Sequence, residues 1–226
     1  MTAVVPVPGA AGPAPGRDGH AAAARIGPNA ILQTLAALRD RVGESEARRL
    51  FEACGLGHHA EHPPAQMVPE DDVRRLFAGL DARLGATAAD AIQRDAGLRT
   101  ARYLLAHRIP GPAAAILRWL PAPVAARLLF RAIARHAWTF AGSGRFDWRP
   151  VPGGVHIRIG ACPLCRGTVA AGPWCAFYAG TFEGLGRALL APAATAREVR
   201  CLARGDAACE FALALAPGGA PSRAWE

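Results

Sequence analysis

Near residue 138 the hydrophobic pattern changes period, and that change limits the possible folds more than any other feature of the chain. Before it, apolar residues recur every three or four positions, as in Ile31, Leu32, Leu35 and Leu38, or Val73, Leu76, Phe77 and Leu80. That spacing puts them on one face of a helix. Helices are predicted from Pro28, over Glu44–Ala53, from Pro69, over Thr87–His107, over Ala113–Leu120 and over Val124–His136, with prolines 110, 112, 121 and 123 as breaks. After it, alternation takes over. Trp138 and Phe140, Phe146 and Trp148, then Val155, Ile157 and Ile159 read as strand faces, with turns at Gly142-Ser-Gly144 and Pro152-Gly153-Gly154. One more helix is predicted at Phe177–Leu190. Two last strands, Glu198–Leu202 and Glu210–Leu215, are joined through Arg204-Gly205-Asp206. Helices first, then an antiparallel sheet with one inserted helix, is an α+β fold.

The composition is compatible with that reading. Half of the 226 residues are apolar, enough for a core, while aromatics make up only 7%. The longest uncharged runs are 16 residues, at 1–16 and 167–182, and both contain Gly and Pro. A membrane-spanning helix needs about 20 apolar residues. The first 16 residues also lack the basic start and apolar core of a secretory signal. Residues 1–26, rich in Pro, Gly and Ala, are expected to form a disordered arm.

Charge is distributed unevenly. All 26 basic residues are arginine. Residues 96–146 hold eight arginines and no acid, which equals the formal net charge of +8 for the whole chain. Arg127, Arg131 and Arg135 repeat every four residues and share a helix face. Guanidinium forks suit carboxylates and phosphates, so a carboxylate ligand, an anionic lipid surface and plain solvation all remain open for this face. Nucleic acid is not expected, because no zinc-finger spacing, aromatic RNA-binding motif or basic tail is present.

Five of the six cysteines lie between 162 and 209. Cys162 and Cys165 form a C-P-L-C pair; Cys175, Cys201 and Cys209 follow. On a strand–turn–strand, Cys201 and Cys209 can face each other, with Glu198 near the same edge. Thiolates together with one carboxylate suit a tetrahedral zinc shell. Buried cysteines that merely pack are the alternative. His58, His59 and His62 form a second cluster, in a proline-containing stretch expected to be exposed.

Three motifs carry a family resemblance: Trp138-x-Phe140-x-Gly142-Ser-Gly144-x-Phe146, Cys175-x-Phe177-x-x-Gly180-x-x-x-Gly184-x-Gly186, and Glu198-x-x-Cys201-x-x-x-Gly205-x-x-x-Cys209-x-Phe211. With these, residues 67–216 resemble the V4R domain, and specifically the bacteriochlorophyll 4-vinyl reductase family. The resemblance implies the α+β fold of trafficking-complex subunits and haem–nitric-oxide sensor domains, with a ligand pocket between helices and sheet. It also implies a structural zinc on Cys175, Glu198, Cys201 and Cys209, with Cys162 and Cys165 outside that pattern. Residues 27–66 then form a helical N-terminal extension, and 217–226 a flexible tail.

The family name implies reduction of a vinyl group on a divinyl chlorophyllide precursor. Such chemistry needs an electron donor, yet no G-x-G-x-x-G nucleotide loop or ferredoxin-like cysteine run is present. The expected function is therefore binding of a divinyl (proto)chlorophyllide-type Mg-tetrapyrrole and its presentation for vinyl reduction. The alternatives are a vinyl reductase with an external donor and a small-molecule-sensing regulator. Arg127 and Arg131 are candidates for the ring's propionate, Trp138 and Phe140 for stacking, and His136 or His107 for the magnesium. Pigment-synthesis enzymes are the expected partners and the cytoplasm the expected location. A homodimer and a peripheral inner-membrane contact stay open.

Overall fold

The computed structural model describes residues 24–216. The expected tail, 217–226, and most of the expected arm lie outside them. Residues 24–26, read as the end of that arm, belong to the folded unit. Arg25–Ile26 (β1) pairs antiparallel with Val68–Pro69 (β2), and Ile26 is 2% exposed.

Seven helices come next: α1 Asn29–Val42, α2 Glu44–Ala53, α3 Gly57–Glu61, α4 Glu70–Leu84, α5 Ala86–His107, α6 Gly111–Trp119 and α7 Ala122–Arg135. Six follow the predicted order closely, while α3 forms in the histidine stretch for which no helix was predicted. Glu70, Asp71 and Asp72 occupy the first turn of α4, where the helix dipole favours acids. Prolines at the first turns of α6 and α7 fit because their missing N–H has no helical partner there. Trp138–Ala141 departs from the predicted strand. It forms one helical turn, α8, in which the Ala141 amide bonds the Ala137 carbonyl and the Thr139 hydroxyl bonds the His136 carbonyl. Three alternating residues are too few to separate the two periods, and the adjoining helix α7 decides.

The sheet consists of β3 Arg145–Val151, β4 Gly154–Gly160, β5 Thr195–Arg200 and β6 Cys209–Ala214, antiparallel throughout in the order β3-β4-β6-β5. Helix α9, Ala176–Leu189, is inserted between β4 and β5. Val155, Ile157, Ile159, Phe211 and Leu213 line the inner face and are fully buried. They share one core with Ile31, Leu35 and Leu38 of α1, Phe51 of α2 and Phe77 of α4. The helices read as an N-terminal extension are thus packed into the same core as the sheet.

Helix α9 is buried nearly all round, the pattern of a central helix. Its glycines explain how it meets α5. A Cβ on Gly180 would lie 2.3 Å from the Arg94 carbonyl, and one on Gly97 would lie 2.2 Å from the Phe177 carbonyl. The two backbones touch because neither helix carries a side chain at the crossing. Glu183, one turn on, is buried; it accepts the Ala196 amide of β5 at 2.9 Å and pairs with Arg94 and Arg187. Among the described residues no helix is long and apolar enough to cross a membrane.

Candidate metal centre

Three chain segments converge below the N-terminus of α9. The first is the turn after β4. Ala161, a non-glycine residue at φ 48°, redirects the chain into Cys162, and the turn closes with the Arg166 amide on the Cys162 carbonyl and the Thr168 amide on the Cys165 carbonyl. Gly167 takes φ 78° in that closure, a conformation only glycine adopts cheaply. The second segment is the start of α9, where Cys175 is the N-cap. The third is the β5–β6 connection, which brings Glu198, Cys201 and Cys209. The β5–β6 register shifts between Glu198 and Arg200. A bulge of this kind re-aims a side chain.

Five cysteines meet there, all fully buried. The sulfurs of Cys201 and Cys209 are 3.9 Å apart, as expected for two cysteines facing across the turn. The Cys175 and Cys209 sulfurs are 3.7 Å apart, those of Cys162 and Cys175 3.7 Å, and those of Cys165 and Cys209 3.3 Å. Glu198 Oε2 accepts the amides of Trp174 and Cys175 at 2.8 Å each, while Oε1 is buried without a partner. An orphaned carboxylate oxygen among thiols fits a cation.

Burial pushes the Cys175 thiol and the Glu198 carboxyl up. The four surrounding thiols donate toward Cys165 and hold it down, and the same crowding pushes Cys209 up. A cation would reverse the upward shifts, because thiolates and carboxylates are its ligands. The centre could therefore hold a metal, and soft thiolate donors favour zinc or iron over magnesium or calcium.

The structure brings together all four residues of the expected set, Cys175, Glu198, Cys201 and Cys209, with ligand atoms within 4.8 Å of one another. The C-P-L-C pair, outside that set in the resemblance and open in role, lies at the same centre: with Cys175 and Cys209, Cys162 and Cys165 form a second tetrad within the same 4.8 Å limit. The pair spacing was the available signal, but the approach of Cys165 to Cys209, 44 residues away, is tertiary.

The histidine cluster also differs from expectation. His59 is buried, its Nε2 3.0 Å from Asp72 Oδ2, and with His58 these residues form a third group of potential ligands. His62 is exposed and outside it. The ligand candidates lie elsewhere. Arg127, Arg131 and His136 are exposed on α7 and at its end, and His107 is exposed at the end of α5. Trp138 is 61% exposed. Phe140 is half-buried against Phe146 and Tyr178, part of an aromatic layer that includes Phe130, Trp148, Phe182 and Phe211. This layer fills the space between α7, α8, α9 and the sheet.

The V4R domain model matches residues 155–215, the segment from β4 to β6 that contains every cysteine of the centre. Solved structures with the same fold include an unliganded Fe(II) H-NOX protein from K. algicida, 10% identical, with TM-score 0.57 over 85% of this chain and 98% of that one. An H-NOX structure from work on haem distortion gives 0.56 at 14% identity, over 84% and 95%. The fold is therefore that of the H-NOX proteins. The bacteriochlorophyll synthase 23 kDa chain of Rhodobacter capsulatus is 41% identical over 192 residues, covering 84% of this chain and 86% of that protein. Its namesake from Cereibacter sphaeroides is 41% identical over 196 residues, covering 86% and 93%. With that identity over nearly the whole length, a matching V4R domain and the fold that goes with it, this chain belongs to the family of the bacteriochlorophyll synthase 23 kDa chains.

Proposed function

We propose that this chain serves bacteriochlorophyll biosynthesis by binding a divinyl (proto)chlorophyllide-type Mg-tetrapyrrole and presenting it to a pigment-synthesis enzyme for vinyl reduction. One observation carries the reading: the 41% identity, over 84% of the chain, to a protein named for bacteriochlorophyll synthesis. The aromatic layer is filled by its own rings, so its exposed edge is what supports the reading, because a flat apolar macrocycle needs aromatic faces to lie against. At the α7–α8 end of the layer, Phe140 and the exposed Trp138 offer ring faces. Arg127 and Arg131 supply the cations for a propionate, and His136 an imidazole for the magnesium.

Presentation is favoured over catalysis by the glycine run. Gly180, Gly184 and Gly186 lie against Arg94, Ala101 and Leu213, so they serve helix packing and leave no loop for a nucleotide phosphate. The metal centre is read as structural zinc that ties the turn after β4, the start of α9 and the β5–β6 connection together. Ile116, Trp119, Val124 and Leu128 are exposed close in sequence to the arginine face. They support a peripheral contact of this face with anionic inner-membrane lipid.

Purified full-length chain mixed with divinyl protochlorophyllide should bind about one ring per chain. With a reductant added, no monovinyl product should accumulate. Sustained turnover would replace presentation by catalysis, and absence of binding would reject both.

A further inference from the structure

Six buried donors serve two overlapping tetrads, Cys162/Cys165/Cys175/Cys209 and Cys175/Glu198/Cys201/Cys209. Cys175 and Cys209 belong to both. A tetrahedral ion takes four donors, so one ion leaves two of the six unused in the core. If it sits in the first tetrad, Glu198 Oε1 stays buried without a partner. If it sits in the second, the C-P-L-C turn holds two thiols against the site for nothing, at the cost of a positive φ on Ala161.

We propose that the centre binds two zinc ions bridged by the Cys175 and Cys209 thiolates, one completed by Cys162 and Cys165, the other by Glu198 and Cys201. The proposal rests on the zinc reading above and deepens it. Tetrahedral zinc with Zn–S near 2.3 Å sets its sulfurs about 3.8 Å apart. The observed separations of 3.7 Å for Cys162–Cys175, 3.7 Å for Cys175–Cys209 and 3.9 Å for Cys201–Cys209 lie at that edge length, and Cys165–Cys209 is shorter at 3.3 Å. The pair shared by both tetrads is itself such an edge, as two tetrahedra joined along one side require.

Charge is also accommodated. Five thiolates and a carboxylate bring six negative charges against four positive. The residual negative charge lies at the N-terminus of α9, a 14-residue helix whose N-cap is Cys175 itself. The Trp174 and Cys175 amides already point at Glu198. Binding releases the thiol protons to solvent, and no electron moves.

The test is the zinc content of full-length chain purified under reducing conditions from zinc-supplemented culture, by native mass spectrometry and elemental analysis. Two zinc ions per chain are expected. Cys162→Ser with Cys165→Ser should leave one, Glu198→Gln with Cys201→Ser should leave one, and Cys175→Ser should hold less than one. A single zinc in the unaltered protein overturns the bridged pair but keeps the mononuclear reading. No metal overturns both, and iron with acid-labile sulfide overturns zinc altogether. If the variants fail to fold, the count in the unaltered protein decides.

Discussion

Replacing Gly180 by Ala adds one methyl group at the α5–α9 crossing. In an open helix interior that change stabilises by about 1 kcal/mol, since alanine loses less backbone entropy. Here the new Cβ would stand 2.3 Å from the Arg94 carbonyl, against the 3.0 Å below which such contacts are essentially never seen. The helices must therefore part by roughly 0.7 Å. A gap of that size forfeits a quarter to a half of the dispersion energy across the contact. Overfilled sites typically lose 1–3 kcal/mol. This one faces rigid backbone on both sides and so falls at or above the upper end. Setting the propensity gain against it leaves a net loss of about 2 kcal/mol. For a chain of this length that lowers Tm by roughly 4–8 °C. Thermal unfolding followed by far-ultraviolet circular dichroism reads it directly. Gly111→Ala in α6, where a Cβ meets nothing within 4 Å, is the control and should leave Tm unchanged or slightly raised. The sign is decisive: a Tm for Gly180→Ala at or above that of the unaltered protein refutes backbone-to-backbone packing.

Burial raises the Glu70 carboxyl, but the Ser143 amide and hydroxyl and the Arg166 guanidinium outweigh it and hold the group below the usual carboxylate range. A depressed carboxyl stabilises at neutral pH and loses that contribution as pH falls below about 4.5; Glu70→Gln should flatten the acid limb of urea-unfolding stability against pH, and parallel limbs would contradict the assignment. A chain starting at Gly27 loses β1 and the buried Ile26 side chain, which is worth roughly 1.5–3 kcal/mol. It should melt several degrees below one starting at Ala24, and equal Tm values would count against the pairing. If the α7 arginines hold a propionate, Arg127→Ala with Arg131→Ala weakens pigment binding in lipid-free solution. If they hold membrane, the pair reduces co-sedimentation with anionic vesicles and spares pigment affinity, and wild-type behaviour in both assays leaves the face merely solvated.

The long helices were legible because their signals are local. Thr87–His107 was read from sequence and α5 spans Ala86–His107, with Gly85 before it and Pro110 after it. Trp138–Phe140 was not, since its three residues fit either period and the choice was made by continuation from α7. Glu183 sits inside the glycine run, where nothing in the spacing shows its role; it holds Arg94, Arg187 and the edge strand β5. The Cys201–Cys209 pairing followed from a short hairpin, a contact that sequence distance alone can suggest. Cys162 and Cys165 reach the same sulfurs only because β4 and β6 are neighbours in the sheet, with Ile159 opposite Cys209. Sheet order of that kind has no signature in the spacing of cysteines.

That order also explains why the cysteines and the aromatic layer depend on one helix. Cys175 caps α9 inside the thiol cluster, and one turn later Tyr178 leaves it. Burial pushes the Tyr178 hydroxyl up and the nearby sulfurs add to the effect, which places the ring beside the cluster. The same hydroxyl bonds the Phe140 carbonyl at 2.7 Å, and the ring packs on Phe140, Phe182 and Phe211. Further along, Gly180 and Gly184 lock the helix to α5, and Glu183 locks it to β5. A helix held by backbone contact on one side and a buried carboxylate on the other cannot shift at one end alone, because packed interiors transmit displacement. Whatever fixes the position of Cys175 therefore fixes the height at which Tyr178 and Phe182 meet the sheet. The thiol cluster and the aromatic layer are tied to the same rigid element.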